Sequence, residues 1–256
     1  MPLEPGTPTG AVSHTLTPRN PGLLNDRMRF TVPVPFTRSW RLRPSIPMST
    51  PRYQTILLFG APGSGKGTQG KILGQVPGFF HVSCGDIFRS MDMNSKIGKI
   101  FREYSSRGEL VPDDVTVQMW AQNITAQTVL SLYKPQVDLL VLDGIPRNPA
   151  QAVIMKKHIK VLKIIHLVCP DKDKMVERLQ RRAIKENRAD DAKVEVIKRR
   201  WQVYEKETYP VLECYPKEII AEVDAMRSPA GVLQQVLTHV VPVQEQHFLN
   251  PIDGKK

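Results

Sequence analysis

The segment Gly60-Ala61-Pro62-Gly63-Ser64-Gly65-Lys66-Gly67-Thr68 joins a flexible backbone to a single lysine, a combination suited to holding phosphate. Glycines let main-chain N–H groups approach oxyanions closely, and Lys66 can reach the terminal phosphates. Gly63, Ser64, Gly65, Lys66, Gly67 and Thr68 are the candidate ligands. Such a loop needs a strand before it and a helix after it. The apolar run at 55–59 supplies the strand, and residues 65–73 read as a helix whose positive N-terminal end adds to the attraction for anions. In the general phosphate-loop pattern a Ser or Thr follows the lysine and holds magnesium. Here Gly67 stands at that position and Thr68 comes one residue later.

Two more segments carry the same kind of chemistry. His81-Val82-Ser83-Cys84-Gly85-Asp86-Ile87-Phe88-Arg89 closes one strand and opens a helix. Asp86 is there either a ligand-facing carboxylate at a strand end or a helix N-cap. Leu139-Leu140-Val141-Leu142-Asp143-Gly144-Ile145-Pro146-Arg147 repeats the arrangement: an aspartate emerging from a buried strand suits magnesium's water shell, and Arg147 offers a fork for phosphate. Farther on, Arg178 and Arg182 share a helical face, followed by Arg188, Asp190, Asp191, Arg199 and Arg200. Any one of these arginines fits a solvated helix face, but a cluster beside a phosphate loop fits phosphoryl transfer, which needs cations around the oxygens in flight.

From residue 52 onward, strand-like and helix-like segments alternate, the pattern of a parallel sheet covered by helices. Strands are expected at 53–59, 79–83, 137–142, 161–168 and 218–223, with a long helical excursion at 87–132 broken at Gly98 and Gly108. Residues 1–47 differ: nine prolines, six arginines, no lysine, and only Glu4 and Asp26 as acids, without periodicity, which predicts a disordered extension. An organelle transit peptide and a translation start at Met48 both fit it. The segment from Val241 reads as a loose tail.

The chain of 256 residues is 41% hydrophobic, enough for one sizeable core with inserted subdomains. No run reaches the ~18 apolar residues that span a bilayer, so no membrane partner is expected. Cys84, Cys169 and Cys214 are far apart and odd in number, which predicts neither a disulfide framework nor a structural zinc site and fits a reducing compartment. The formal charge of +11 admits nucleic acid as a partner, but its concentration beside the phosphate motifs is explained as well by a polyanionic small substrate.

Taken together, these blocks resemble the adenylate kinases, in their short-lid form, across residues 53–240. The resemblance rests on 60–69, on Ser83-Cys84-Gly85-Asp86 with Arg89, on Gly108-Glu109-Leu110-Val111-Pro112-Asp113, and on Asp143-Gly144-Ile145-Pro146-Arg147 with Gln151. It continues through 178–182, Arg188-Ala189-Asp190-Asp191, and Arg200 to Thr208-Tyr209-Pro210. Gly67 after the lysine belongs to the same pattern, since Gly-Lys-Gly-Thr is typical of nucleoside monophosphate kinases.

The resemblance implies an α/β fold: a five-stranded parallel sheet forming a phosphate-loop kinase core at 48–240, with a helical AMP-binding insertion at 84–133 and a short lid at 182–191. It implies transfer of the terminal phosphoryl group of MgATP to AMP, giving two ADP. Gly63 to Thr68 would hold ATP with Arg178 on its base, and Lys66, Arg182, Arg188 and Arg200 would surround the moving group. Arg89 and Arg147 would grip the AMP phosphate, with Cys84, Glu109, Leu110, Val111, Gly144 and Gln151 completing its pocket. Asp86 and Asp143 would act on magnesium through water. A monomer in the cytoplasm is implied, or in an organelle if residues 1–47 target one, with ATP, AMP and ADP as partners and no nucleic acid. Cys84 replaces the usual Thr, Ile145 an aromatic, and Asn187 a Gly. One extra residue between Asp191 and Glu195 leaves Arg199 as an alternative to Arg200; helical phase favours Arg200. Asn148 keeps a UMP/CMP kinase in view, while Gln151 fits an adenine edge.

Deleting residues 1–47 is expected to leave turnover and melting temperature unchanged, because that segment lacks the apolar pattern to pack on the core. Kinetics and thermal denaturation of a protein starting at Met48 check this; a drop of several degrees would show that the extension packs.

Overall fold

The computed structural model describes residues 52–186, 188 and 193–247. The extension expected at 1–47, part of the lid expected at 182–191, and residues 248–256 of the expected tail lie outside them. The sheet comprises β1 (Tyr53–Gly60), β2 (Phe79–Ser83), β3 (Leu139–Asp143), β4 (Ile159–Val168) and β5 (Ile220–Asp224). Its order is β2-β3-β1-β4-β5, with every neighbouring pair parallel. The expected five-stranded parallel sheet is present, with strand ends shifted by one or two residues.

The sheet is covered on both faces, as its continuous apolar runs require. Leu57, Phe59, Leu140 and Leu142 face one core cluster, while Ile56, Leu58, Leu139 and Val141 face another. All five residues of β3 are buried. The second cluster is closed by α8 (Pro229–His247) through Val232, Val236 and Val240, and by Leu73 at the end of α1 (Lys66–Leu73). The first takes in α5 (Pro149–Met155), α6 (Lys172–Glu186) and α7 (Val194–Val203) through Met155, Met175, Leu179, Ile197 and Trp201.

The excursion between β2 and β3 is three helices: α2 (Cys84–Arg89), α3 (Lys96–Arg107) and α4 (Asp113–Val129). Thr116, Trp120 and Ile124 form a buried stripe at four-residue spacing on α4. The expected break at Gly108 is present, since this residue ends α3 with φ 70°, a conformation that favours glycine. The expected break at Gly98 is corrected. Gly98 lies in the first turn of α3, where its N–H donates to the capping Ser95 hydroxyl at 3.0 Å. It is glycine for closeness: a Cβ there would lie 2.3 Å from the Asp92 carbonyl oxygen. The chain breaks instead before Ser95.

The expectation of a loose tail from Val241 is also corrected as far as His247, because α8 runs on to that residue. The valine stripe keeps the helix on the sheet through Val240, and beyond it Gln244 Nε2 donates to the Pro77 carbonyl at 2.7 Å.

Two histidines are enclosed in this framework, His166 buried and His81 partly so. His81 of β2 lies against α1, so close that a Cβ on Gly70 would sit 2.2 Å from its Nε2. His166 of β4 shares a hydrogen bond of 3.2 Å between Nε2 and the Tyr204 hydroxyl, with Glu222 3.5 Å from Nδ1. Burial lowers the pKa of both, against the opposing pull of Asp143 and Asp86 on His81 and of Glu222 on His166. The folded protein therefore binds fewer protons than the unfolded chain as pH falls through about 6.5, so acidification in that range destabilises it. The melting temperature should fall between pH 7.5 and 5.5, and His81→Gln with His166→Gln should flatten that dependence; an unchanged slope in the double variant would refute this origin.

Candidate functional site

Parallel pairing brings the sequence-predicted blocks to one edge of the sheet. Asp143, the last residue of β3, lies opposite Leu58 of β1 and Ser83 of β2. The loop after β1, the start of α2 and the β3–α5 connection thus emerge together at the carboxyl ends of the strands, where open α/β sheets place ligands.

In the loop, Gly60 is excluded from carrying a side chain because a Cβ would meet the Leu167 carbonyl at 2.6 Å. Gly63 and Gly65 have φ of 86° and 94°, and Gly65 opens α1. No acidic residue occupies the first turn of α1, so its N-terminal field is left for an external anion. Lys66 folds back over the loop, donating from Nζ to the carbonyls of Gly60 at 2.7 Å and Ala61 at 3.0 Å. Burial lowers its pKa to about 8; Asp143 opposes this, and Arg147, Arg182 and Arg200 reinforce it. Gly67 faces Asp143, whose Oδ2 would lie 3.7 Å from a Cβ built there. Ser64 is buried and Thr68 is exposed at the rim.

Asp86 is not the N-cap of α2. Ser83 caps that helix by accepting the Asp86 N–H, which leaves the carboxylate for cations. It accepts from Arg89 at 2.5 Å and lies 3.6 Å from Arg188 and 3.9 Å from Lys71. Its pKa falls below the usual carboxylate value despite partial burial, since the Arg89 hydrogen bond and these three charges outweigh desolvation. Arg188 also pairs with Glu186 at 2.6 Å. Asp86, Asp143 and Glu186 are the carboxylates that line the larger cleft, among the described residues. Among the described residues no group of three or more His, Cys, Asp and Glu side chains makes a metal cage.

Arg147 is aimed by its Nε bond to the Gly144 carbonyl at 2.8 Å, where Gly144 has φ 84°. Its backbone N–H donates to Gln151 Oε1 at 2.8 Å. Arg178 donates to the Ala225 carbonyl at 2.8 Å, which fixes it over the end of β5. Cys84 is fully buried, and its thiol pKa rises to about 11, chiefly through burial.

These groups line two clefts. One, of about 660 Å³, runs from the phosphate loop past Arg178, Arg182 and Arg188 and is of the size that admits a polyphosphate nucleotide. The other, of about 140 Å³, lies between the sheet edge and the inserted helices, lined by Cys84, Glu109, Leu110, Val111, Gly144 and Gln151 among others. Lys66, Arg89, Arg147 and Arg200 line both. Arg199 lines neither; it points to Glu109, 4.0 Å away, and is half exposed. Of the two arginines that helical phase separates, Arg200 is the one whose side faces the clefts. Lys71 and Asp113 enter the same network without having been assigned a role from sequence. Lys71 lies in no motif, and Asp113 meets partners, Asn148 and Gln151, that are distant in sequence.

The sequence matches the family profile described as Adenylate kinase over residues 58–220. It is 33% identical over 208 residues to an adenylate kinase of Cyanothece sp., covering 78% of this chain and 97% of that one. Over 190 residues it is 34% identical to an adenylate kinase of Thermobifida fusca, covering 72% and 96%. With an adenylate kinase of Bacteroides thetaiotaomicron the identity is 36% over 169 residues, covering 64% and 85%. A phosphate loop on a 2-3-1-4-5 parallel sheet, two clefts joined by shared cations and relatives matched almost end to end agree on one conclusion: this chain belongs to the adenylate kinase family.

Proposed function

We propose that the chain catalyses MgATP + AMP ⇌ 2 ADP by direct in-line transfer. The observation that carries this is the set of four cations, Lys66, Arg89, Arg147 and Arg200, shared by the two clefts. A site with donor and acceptor nucleotides on either side needs positive charge at their junction, where the phosphoryl group is in neither. An AMP phosphate oxygen forms a bond to the γ-phosphorus as the bond to the β–γ bridging oxygen breaks, so ADP leaves on one side and ADP is formed on the other.

ATP occupies the larger cleft, its phosphates on the backbone of Gly63 to Thr68 and its base beside Arg178. Magnesium enters with ATP and neutralises phosphate charge; Asp86 and Asp143 hold its waters. AMP occupies the smaller cleft, its phosphate on Arg89 and Arg147, with Gln151 against the base. That cleft is below the ~300 Å³ typical of ligand pockets, in keeping with an insertion that swings outward to admit AMP and closes to exclude water. Arg182, Arg188 and Arg200 approach the transferring group from the α6 and α7 side. The enzyme acts as a cytoplasmic monomer without zinc or nucleic acid.

One feature favours AMP over a pyrimidine acceptor. Asn148 lines neither cleft and spends its amide on capping α5 and on Asp113, whereas Gln151 lines the acceptor cleft. ADP formation from ATP with AMP, CMP, UMP and GMP side by side tests this directly: AMP should dominate, and a preference for CMP or UMP would replace the assignment.

Lys66→Met should reduce turnover ~100-fold or more, the range seen when a charge-stabilising group is removed from a transition state. Arg200→Ala should behave similarly, while Arg199→Ala should remain close to the parent enzyme. A coupled assay of ADP production distinguishes them, and reversed behaviour of the two arginine variants would transfer the role to Arg199.

A further inference from the structure

Asp113, the first residue of α4, joins two parts of the acceptor cleft that are distant in sequence. Its Oδ1 accepts from Gln151 Nε2 at 2.7 Å and from Asn148 Nδ2 at 2.9 Å. The other end of the Gln151 amide, Oε1, accepts from the backbone N–H of Arg147 at 2.8 Å. A backbone N–H only donates and a carboxylate only accepts. These two partners permit one orientation of the Gln151 amide, nitrogen toward Asp113 and oxygen toward Arg147. Asn148 is fixed by the same logic, since its Oδ1 accepts from the Gln151 N–H at 2.7 Å. With Gln151 only 1% exposed, a reversed amide would set donor against donor and acceptor against acceptor with no water to relieve either.

An amide carries two N–H donors and two lone pairs, so after these internal bonds one donor and one acceptor remain for a ligand. A 6-amino purine offers the complementary pair, a donating amino group and an accepting N1. A 6-oxo purine offers the reverse, an accepting oxygen and a donating N1–H.

We propose that Asp113 is a specificity-positioning residue: by holding the Gln151 amide in one orientation from the start of α4, it makes the acceptor cleft select 6-amino over 6-oxo purine monophosphates. The proposal rests on Gln151 facing the acceptor base. Asp113 does not touch the nucleotide, and its effect passes through Gln151. Because it lies immediately beyond the segment bearing Glu109, Leu110 and Val111, it also ties the inserted helices to the β3–α5 connection that carries Arg147.

The test compares kcat and KM for AMP and for inosine monophosphate, at saturating MgATP, in the parent enzyme and in Asp113→Ala, Asp113→Asn and Gln151→Leu. Asp113→Ala should raise the KM for AMP roughly tenfold, as expected for losing a hydrogen bond to a charged acceptor, and lower the preference for AMP by a similar factor. The KM for ATP should stay unchanged. Asp113→Asn keeps a carbonyl that can accept from both amides, so it should restore most of the preference. A folded Asp113→Ala protein with the parent preference, or an Asp113→Asn protein as impaired as Asp113→Ala, overturns the proposal. Gln151→Leu separates the two claims. If it loses the preference while Asp113→Ala keeps it, only the role of Asp113 falls; if Gln151→Leu itself keeps the preference, the placement of the base falls too. Thermal melting verifies each fold, and Asp113→Ser, too short to reach the amides, replaces Asp113→Ala should that variant not fold.

Discussion

Repulsion among cations is the constraint on which this structure depends. Burial lowers the pKa of Lys66 to about 8 against the pull of Asp143, and Arg147, Arg182 and Arg200 press it in the same direction. Left alone such a cluster would push itself apart. Two carboxylates, Asp86 in the first turn of α2 and Asp143 at the end of β3, offset part of the charge, and main-chain carbonyls hold individual side chains: Gly60 and Ala61 for Lys66, Gly144 for Arg147, Ala225 for Arg178. Lys66, Arg147 and Arg178 are thereby held in place before any phosphate arrives. This is the preorganisation that makes charge stabilisation effective in transfer between oxygens.

The fold supplies the rigidity for this arrangement. Both faces of the central strands are covered, so the loop after β1 and Asp143 after β3 are set by the register of buried strands. The cations on α6 and α7 are carried by helices anchored through Met175, Leu179, Ile197 and Trp201.

Much of this was legible in the sequence because the chemistry restricts residue types locally. Glycines in the phosphate loop, aspartates ending apolar runs and arginines at helical spacing each have a short-range signature, and all of them reach one edge of the sheet. What sequence missed is non-local. Gly98 looks like a helix breaker until the nearness of the Asp92 carbonyl is seen, when it becomes the residue that lets α3 begin. Residues 241–247 look like a tail until the valine stripe of α8 is followed onto the sheet. His81, His166 and the junction of Asp113 with Gln151 and Asn148 are pairings across strands and loops, which no periodicity announces.

The strand order carries one more consequence, for the way the chain acquires its structure. β1, which supports the phosphate loop, is central, yet its partners are synthesised much later: Thr55 pairs with Leu140, and Tyr53 with Ile159. During translation this apolar strand must wait, with neither edge occupied, until the whole stretch from Gly60 to the start of β3 at Leu139 has followed it. Such long-range parallel pairing is slow to nucleate and exposes sticky edges while it does so. The architecture that concentrates charge so effectively in the finished enzyme thus makes the nascent chain dependent on delayed closure, with its nucleotide-binding loop among the first segments made and among the last to be supported on both sides.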